Sequence, residues 1–242
     1  MRRFVVQQLA DVGQTLTLDM PASHHIATVL RLGVGTSIDL TDGQGAAATC
    51  TILQSGASVT VRIDSVRQLA AERGTLTLLL SILKGNRWDW ALEKCGEFGV
   101  DALVPIMATH CVVKLRPDEL VSRADRWQRI CDAGMRQSEG SVRCHVHPPQ
   151  TLTAALSAPG NSDLTLFASE RDPLAPWPLI YQAGGSHHLR IAVGPEGGWS
   201  PQELHALRER ATPIGLGSHV LRAESAAVAL MAMVNARRDG LL

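Results

Sequence analysis

Ile191-Ala192-Val193-Gly194-Pro195-Glu196-Gly197-Gly198-Trp199-Ser200 is an apolar run that passes into a glycine-rich turn. We call residues 194–198 the glycine loop. Its three glycines allow a sharp turn and a close approach of the backbone to a ligand. Pro201, which follows Ser200, suits the first turn of a helix. The stretch therefore predicts a strand, a tight loop and a helix, the repeating unit of α/β domains.

A second stretch, Ile214-Gly215-Leu216-Gly217-Ser218-His219-Val220-Leu221-Arg222-Ala223-Glu224-Ser225, follows another short apolar run. We call residues 216–222 the arginine loop. Ligands of open α/β sheets bind outside the carboxyl ends of the strands, where both loops are expected. Neither loop matches a dinucleotide G-x-G-x-x-G or a phosphate-binding G-x-x-x-x-G-K-[ST] pattern. On spacing alone, the loops are either a ligand site or tight turns without a ligand.

Apolar strands and helical patterns alternate from residue 74 onward. The predicted strands are Thr75–Leu83, Val100–Met107, Leu164–Ala168, Leu189–Val193 and Ile214–Leu216. The predicted helices are Asn86–Phe98, Glu119–Met135, Pro201–Arg210 and Glu224–Arg238. This alternation predicts a parallel sheet covered by helices on both faces. Surface connections are expected over residues 142–161 and 171–185.

Residues 1 to about 70 have a different pattern, with short strands separated by glycine turns. The predicted strands lie at 4–6, 15–18, 37–40, 47–52 and 58–63. Such spacing is typical of a small β-barrel. One helix is expected over His24–Leu32, with Ser23 as its N-cap. We therefore predict two domains, residues 1–70 and 74–242.

The composition excludes several classes of protein. The chain has 242 residues, 45% of them apolar, and 23 basic side chains balance 23 acidic ones. This excludes a disordered chain and a protein that holds nucleic acid by bulk charge. The five cysteines are scattered without a CxxC pair, which indicates reduced thiols and neither a disulfide framework nor a zinc site. With no targeting or membrane-spanning segment apparent, a cytoplasmic protein without membrane contact is expected.

The glycine loop and the arginine loop together resemble the motifs GPEGG and LG-x-x-(I/V)-L-R-x-E-(T/S)-A of the bacterial 16S rRNA uridine-N3 methyltransferases, a SPOUT family. Further elements of that family are similar to Lys84–Arg87, Glu93–Val100 and Gln137-Ser138. Parts of the family's N-terminal PUA-like domain are similar to Arg2-Arg3-Phe4, Val29-Leu30-Arg31 and Asp42–Gly45. The resemblance covers essentially the whole chain.

The resemblance implies an α/β fold in two parts. An N-terminal PUA-like β-barrel that binds RNA would be followed by a SPOUT methyltransferase domain with a C-terminal trefoil knot. The implied cofactor is S-adenosylmethionine, and no metal is expected. The expected cofactor-binding residues are Phe167, Ala168, Val193, Gly194, Pro195, Glu196, Gly197, Gly198, Leu216, Gly217, Val220, Leu221, Arg222, Glu224 and Ala226.

The implied reaction transfers a methyl group to N3 of a specific uridine in 16S rRNA, within the small ribosomal subunit. N3 belongs to a weakly acidic imide that must lose a proton, so a cation beside the base carbonyls would stabilise the developing anion. Arg222 is the candidate for this role; the alternative is a salt bridge from Arg222 to Glu224 or Glu196. Glu196 is either a general base or a group that orients the loop by accepting backbone N–H bonds, and the second role is favoured.

The resemblance also implies contacts with RNA and with a second copy of the chain. N3 lies on the pairing edge of uracil, so a paired target would have to be flipped out. The candidate RNA-binding residues are Arg2, Arg3, Arg31, Lys84, Arg87 and Arg136. In the implied homodimer the final helix would contribute to the interface, although its alanines equally suit packing within one subunit. The sequence departs from the family at His110-Cys111, Gly140, His219 and Ser225.

Two other functions remain open at this point. A ribose 2′-O-methyltransferase of the same superfamily would act on a sugar hydroxyl and use different local motifs. A non-catalytic RNA-binding protein would carry a degenerate methyltransferase scaffold. The intact Gly194–Gly198 and Leu221–Glu224 favour the enzyme over this second alternative.

Overall fold

The computed structural model describes residues 3–68, 74–138, 140, 142–158, 164–170 and 188–238. The chain divides into two compact units. Unit 1 comprises residues 1–71 and 135–143, and unit 2 comprises residues 72–134 and 144–242. The structure thus groups residues 135–143 with the N-terminal part of the chain. Arg2 and the connection predicted over 171–185 lie outside the described residues.

Unit 1 is built on a five-stranded sheet. Its strands are β1 (Arg3–Val5), β2 (Thr15–Thr17), β3 (Ser37–Thr41), β4 (Ala46–Gln54) and β5 (Thr60–Gln68), in the order β1-β3-β4-β5-β2. Only β1 and β3 run parallel. Alternating residues such as Ile38, Ile52 and Val61 are buried in one core. The five predicted strands are confirmed, but among the described residues the edge strands β1 and β2 do not pair to close a barrel.

The helix of unit 1 begins earlier than the sequence predicts. Helix α1 spans Met20–His24, and a π-helical segment, His25–Val29, continues it. Its N-cap is Asp19, whose carboxylate accepts a hydrogen bond from the Ala22 N–H at 2.9 Å. Ser23 is buried inside the helix and donates to the Leu18 carbonyl. The prediction of Ser23 as the N-cap is therefore wrong, because Asp19 caps the helix and Pro21 fits its first turn.

Unit 2 contains a six-stranded sheet in which every pairing is parallel. The strands are β6 (Leu76–Ser81), β7 (Ala102–Ile106), β8 (His145–Val146), β9 (Leu164–Ala168), β10 (Leu189–Val193) and β11 (Thr212–Ile214). Their order is β11-β9-β10-β6-β7-β8. The predicted parallel α/β sheet is confirmed. Its central strands β6 and β10 are mostly apolar, because both faces of the sheet are covered by helices.

Helices cover both faces of this sheet. They are α2 (Asn86–Glu97), α3 (Leu120–Gln137), α4 (Leu152–Ser157), α5 (Pro201–Arg210) and α6 (Ala223–Arg238). Leu78 packs with α2, α3 and α6 on one face, where Trp88 and Trp127 meet edge to face at 5.2 Å. Leu79 packs with α4 and α5 on the other face. The short elements β8 and α4 lie where the sequence predicts only a surface connection.

The five cysteines are all free and buried. Burial raises the pKa of Cys50 to about 12, and it also raises the pKa values of Cys95 and Cys111. A hydrogen bond with Cys131 is the main cause of the raised pKa of Cys144. The raised pKa values keep Cys50, Cys95, Cys111 and Cys144 protonated near neutral pH, and all five cysteines pack as small apolar side chains.

None of the helices in the described ranges is both long and apolar enough to cross a lipid bilayer.

Candidate active site

The carboxyl ends of three neighbouring strands form a cleft in unit 2. The loops after β9, β10 and β11 meet there, because parallel strands end at the same edge of a sheet. The cleft has a volume of about 510 Å³, within the range of small-molecule sites. The glycine loop and the arginine loop, which one helix and one strand separate in the sequence, thus become two walls of one cavity.

The strand order explains why the two loops face each other. β10 lies on one side of β9, and the chain then returns through α5 to β11 on the other side. The order in which the chain adds strands to the sheet therefore reverses at β9, although the strands themselves remain parallel. Such a reversal is where open α/β sheets bind their ligands.

Most residues predicted to bind the cofactor line this cleft. The lining includes Ala168, Val193, Gly194, Pro195, Glu196, Gly197, Gly198, Leu216, Gly217, Val220, Leu221, Arg222 and Ala226. Two predicted residues do not line it. Phe167 is fully buried in the core against α4 and α5, and Glu224 is buried in the first turn of α6. Their positions do not match the predicted direct contact with a cofactor.

Several lining residues were not predicted from the sequence. They are Ser169, Glu170, Trp199, Leu204, Arg208, Ile214, His219 and Ala223. Trp199 and His219 belong to the quoted stretches, so their proximity in sequence was a usable signal. Leu204 and Arg208 are four residues apart on α5, which places them on one face of that helix. Only the packing of α5 shows that this face borders the cleft.

The glycine loop has the small residues that its surroundings require. A Cβ atom on Gly194 would lie 2.9 Å from the Trp199 Nε1, and one on Gly197 would lie 2.9 Å from the His110 Cβ. Gly198 has a φ of +73°, in the left-handed region that glycine tolerates. Its N–H donates to the Pro195 carbonyl at 2.9 Å and closes the turn.

The start of α5 anchors the far end of the glycine loop. The Ser200 hydroxyl accepts from the Glu203 N–H, and the Glu203 carboxylate accepts from the Ser200 N–H, a reciprocal capping box. The helix start predicted at Pro201, directly after Ser200, is confirmed. The other Glu203 oxygen accepts from the Thr109 N–H at 2.9 Å. One carboxylate therefore ties the helix start to the loop that follows β7.

Glu196 forms an ion pair with the first turn of α2. Its Oε1 lies 2.8 Å from the Arg87 Nη1. Arg87 was predicted to bind RNA, but its guanidinium instead contacts the side chain at the centre of the glycine loop. The pair is partly exposed, with 39% of the Arg87 side chain and 29% of the Glu196 side chain accessible. Such an ion pair orients a loop but contributes little to stability.

The arginine loop is far more open. Val220 is 76% exposed and Leu221 39% exposed, and the Arg222 side chain is also exposed. Among the described residues, no ion pair involves Arg222, so the alternative of a salt bridge to Glu224 or Glu196 is not found. The Arg222 carbonyl accepts from the Ala226 N–H at 2.8 Å in the first turn of α6. The backbone of Arg222 is thus hydrogen-bonded to α6, while the exposed residue lines the cleft.

Glu224 is the most unusual of the predicted site residues. It is only 7% exposed, and its Oε2 has no hydrogen-bond partner among the described residues. Its place in the first turn of α6 is favourable for a carboxylate, because the amino end of a helix carries partial positive charge.

The predicted RNA-binding cations have varied surroundings. The Arg3 side chain is only 14% exposed and lies 3.8 Å from the Asp39 carboxylate, so it is a structural cation of unit 1. Its prediction as an RNA contact is therefore not supported. Arg31 is exposed and has a φ of +52°, the only positive φ of a non-glycine residue within the described ranges. Lys84 and Arg136 are also exposed.

The chain combines a parallel α/β sheet, with a small-molecule cleft at its strand ends, and a separate β-sheet unit. This architecture defines a two-unit α/β protein with a small-molecule site. Residues 71–235 match the RNA methyltransferase domain family, and residues 18–64 match the RNA methyltransferase PUA domain. The first match covers most of the chain, and the chain belongs to this RNA methyltransferase family.

More specific relatives share nearly the full length. The ribosomal RNA small subunit methyltransferase E of Mycobacterium tuberculosis is 29% identical over 96% of this chain and 90% of its own length. The protein of that name from Bacillus subtilis is 27% identical over 93% of each chain. A crystal structure of the same enzyme from Neisseria gonorrhoeae, bound to S-adenosyl methionine, matches with a TM-score of 0.83 at 29% identity over 96% of both chains.

Proposed function

We propose that this chain transfers a methyl group from S-adenosylmethionine to N3 of a uridine in the 16S rRNA of the small ribosomal subunit. The observation that carries the proposal is the cleft in which the glycine loop and the arginine loop face each other. The relatives named above are small-subunit rRNA methyltransferases. The uridine and the N3 position follow from the motif resemblance of these two loops.

The residues of the cleft fit S-adenosylmethionine. Adenine is bound by apolar walls and a few polar groups of the backbone. Val193, Leu216 and Leu221 supply apolar surface, and the glycines of both loops leave backbone groups accessible. The bound cofactor supplies the methyl group on a sulfonium. The glycine loop and the arginine loop would hold this group beside the acceptor nitrogen, and positioning of this kind provides much of the rate acceleration.

We assign Arg222 to stabilisation of the uracil anion. Arg222 lines the cleft, and its side chain has no competing ion pair among the described residues. A cation beside the base carbonyls stabilises the negative charge that develops as the N3 proton leaves to solvent, and so favours the deprotonated imide whose N3 attacks the methyl group. Glu196 already accepts from Arg87, so we assign it to positioning of the glycine loop and not to proton transfer.

We assign RNA contact to exposed cations in each unit, namely Arg31 and Arg136 in unit 1 and Lys84 in unit 2. The net charge is zero, so local clusters and shape must supply the binding. A structured particle with a target base flipped into the cleft suits such a neutral enzyme. Either free 16S rRNA or the assembled small subunit is compatible with these contacts.

Three further features belong to the proposal. A trefoil knot at the carboxyl end would fit the return of the chain across β9 to β11 and then into α6.

A homodimer would cover the exposed Val220 and Leu221 of the arginine loop. On α6, Ala226 and Ala227 are buried within the subunit, whereas Ala229, Ala232 and Ala236 are partly exposed. A cytoplasmic location would follow from a ribosomal substrate.

The proposal is tested first by titration of the purified protein with S-adenosylmethionine. Saturable binding is expected, and no binding would reject the enzyme. The second step incubates the protein and labelled cofactor with 16S rRNA or small subunits from a strain that lacks this enzyme. Mass mapping of the RNA should place one methyl group on N3 of a uridine. A methyl group on a ribose hydroxyl would instead identify the 2′-O-methyltransferase, and cofactor binding without transfer to either RNA would favour the non-catalytic RNA-binding protein.

A further inference from the structure

His110 contacts the backbone of the glycine loop from the far side of strand β6. Its Nδ1 lies 3.2 Å from the Gly197 carbonyl oxygen and 3.0 Å from the Gly198 carbonyl oxygen. A carbonyl oxygen only accepts hydrogen bonds, so Nδ1 must carry the proton. One N–H is therefore shared between two consecutive carbonyls, a bifurcated hydrogen bond.

This contact fixes the orientation of two peptide groups. The peptide unit is planar, so a carbonyl held on one side also sets the direction of the N–H of the next residue. The Gly198 N–H, in the same peptide as the Gly197 carbonyl, donates to the Pro195 carbonyl. His110 and Pro195 therefore hold opposite ends of one peptide, at the place where the backbone has the left-handed φ of Gly198.

The contact is close as well as directed. A Cβ atom on Gly197 would lie 2.9 Å from the Cβ of His110, so only glycine lets the imidazole approach the loop at this distance. The glycine at position 197 and the histidine at position 110 thus fit each other.

The loop that carries His110 is itself held on both sides of the residue. The Thr109 N–H donates to the Glu203 carboxylate, and the Lys114 ammonium donates to the Thr109 carbonyl at 3.2 Å. Cys111 is buried, with its N–H bonded to the Ala108 carbonyl. His110 is exposed at its edge but has a fixed backbone, so its ring is presented to the glycine loop in one direction.

We propose that His110 is a positioning residue, which holds the glycine loop in the shape that takes up the methyl donor by donating its Nδ1–H to the Gly197 and Gly198 carbonyls. This inference rests on the proposed function. The histidine acts on the backbone of the loop, whereas Arg87 acts on the Glu196 side chain. His110 acts through the loop and does not take part in methyl transfer.

The decisive experiment compares three substitutions at this position by calorimetric titration with S-adenosylmethionine. His110→Ala removes the donor and is expected to weaken binding by about tenfold, the order of one or two lost hydrogen bonds. In His110→Asn the amide nitrogen takes the place of Nδ1 and should restore affinity to within about threefold of the wild type. In His110→Gln the amide nitrogen takes the place of Nε2, so this variant should bind as weakly as the alanine variant.

Steady-state kinetics and a matched control separate positioning from general damage. His110→Ala should raise the KM for S-adenosylmethionine while kcat at saturating cofactor changes much less. His205→Ala, which removes an exposed histidine of α5 that does not line the cleft, should leave affinity unchanged. Equal losses in the asparagine and glutamine variants, or an unchanged affinity in the alanine variant, would overturn the proposal.

The tautomer gives a readout that does not depend on activity. Nitrogen NMR of the wild-type protein should show a proton on the His110 Nδ1, because the contact with the two carbonyls requires a donor there. A proton on Nε2 would overturn the inference even if the variants lose affinity. Failure of the wild-type protein to bind the cofactor would instead reject the proposed function, while the tautomer would still report on the contact itself.

Discussion

The two loops that form the cleft differ sharply in how they are held. Three contacts hold the glycine loop. Arg87 pairs with the Glu196 side chain, His110 donates to backbone carbonyls of the loop, and the capped start of α5 follows the loop directly. The arginine loop has exposed side chains, and its contact with α6 runs through the Arg222 backbone. One wall of the cleft is therefore built before any ligand binds, while the other presents its side chains to whatever enters.

This difference indicates that the two loops contact different kinds of partner. A preorganised backbone suits recognition of a constant cofactor, because little ordering is needed on binding. Exposed side chains suit contact with a large and variable partner such as RNA or a second subunit. Four predictions test this difference between the two loops, in order of decreasing expected effect.

Replacement of Arg222 by alanine should reduce turnover by about 100-fold, the usual effect of removing one group that stabilises an anionic transition state. Initial rates at saturating cofactor and RNA measure this effect. Arg210→Ala is the matched control, since Arg210 is an exposed arginine that hydrogen-bonds Ser157 and does not line the cleft. Turnover within threefold of the wild type in a folded Arg222→Ala protein would remove Arg222 from the mechanism.

Alanine at the two loop glycines should have unequal effects on cofactor affinity. Gly197→Ala introduces a Cβ 2.9 Å from the Cβ of His110 and should weaken binding more than tenfold, since overpacking costs about 1–3 kcal/mol. Gly217 has open space around its Cβ but a φ of +101°, so Gly217→Ala is strained, and the exposed loop can relax around it. Gly33→Ala, in open space with ordinary backbone, serves as the control. A greater loss in Gly217→Ala would contradict the view that the glycine loop is the more rigid wall.

Hydrogen exchange should distinguish the loops directly. The amides of residues 194–200 are expected to exchange about tenfold more slowly than those of residues 216–222 in the free protein, because local opening is easier where fewer contacts hold the backbone. Addition of cofactor should then protect the arginine loop more than the glycine loop. Mass spectrometry of short peptides covering each loop measures both rates, and equal rates in the free protein would refute the comparison.

The smallest effect is expected for the ion pair between Arg87 and Glu196. A double-mutant cycle with Arg87→Ala and Glu196→Gln should give a coupling of about 0.2–1 kcal/mol in the free energy of unfolding, because the pair is partly exposed. Thermal or urea unfolding of the four proteins supplies the numbers. The coupling should fall at high salt, and a value that does not respond to salt would show that the contact is not mainly electrostatic.

The fold was largely predictable because its signals are local. Strands Leu164–Ala168 and Leu189–Val193 and the helix Pro201–Arg210 have the predicted bounds, since an apolar run or a Ser-Pro start is readable in one short window. The errors have local causes too. Asp19 competes with Ser23 as N-cap, and β8, with two residues, is too short to produce a pattern.

The site was predictable only in part because its contacts are not local. The glycine and arginine loops carry recognisable motifs, so most of the cleft wall was expected. The contacts of the glycine loop with Arg87 and His110 were not predicted. These two residues lie about a hundred residues away in sequence, and the order of the strands brings them to the loop. Arg3 shows the same limit, since nothing near it in sequence indicates its pairing with Asp39.

Trp199 gives the cleft an optical property of its own. Its indole packs against Gly194 and Trp199 lines the cavity, whereas Trp88 and Trp127 are buried elsewhere in the core and the exposed Trp90 does not line the cavity. Fluorescence of an indole depends on its polar surroundings, so a molecule that enters the cleft changes the emission of Trp199 while that of the buried pair stays constant. The protein thus carries a built-in spectroscopic probe at the glycine loop, with which occupancy of the cleft can be followed in real time without any label.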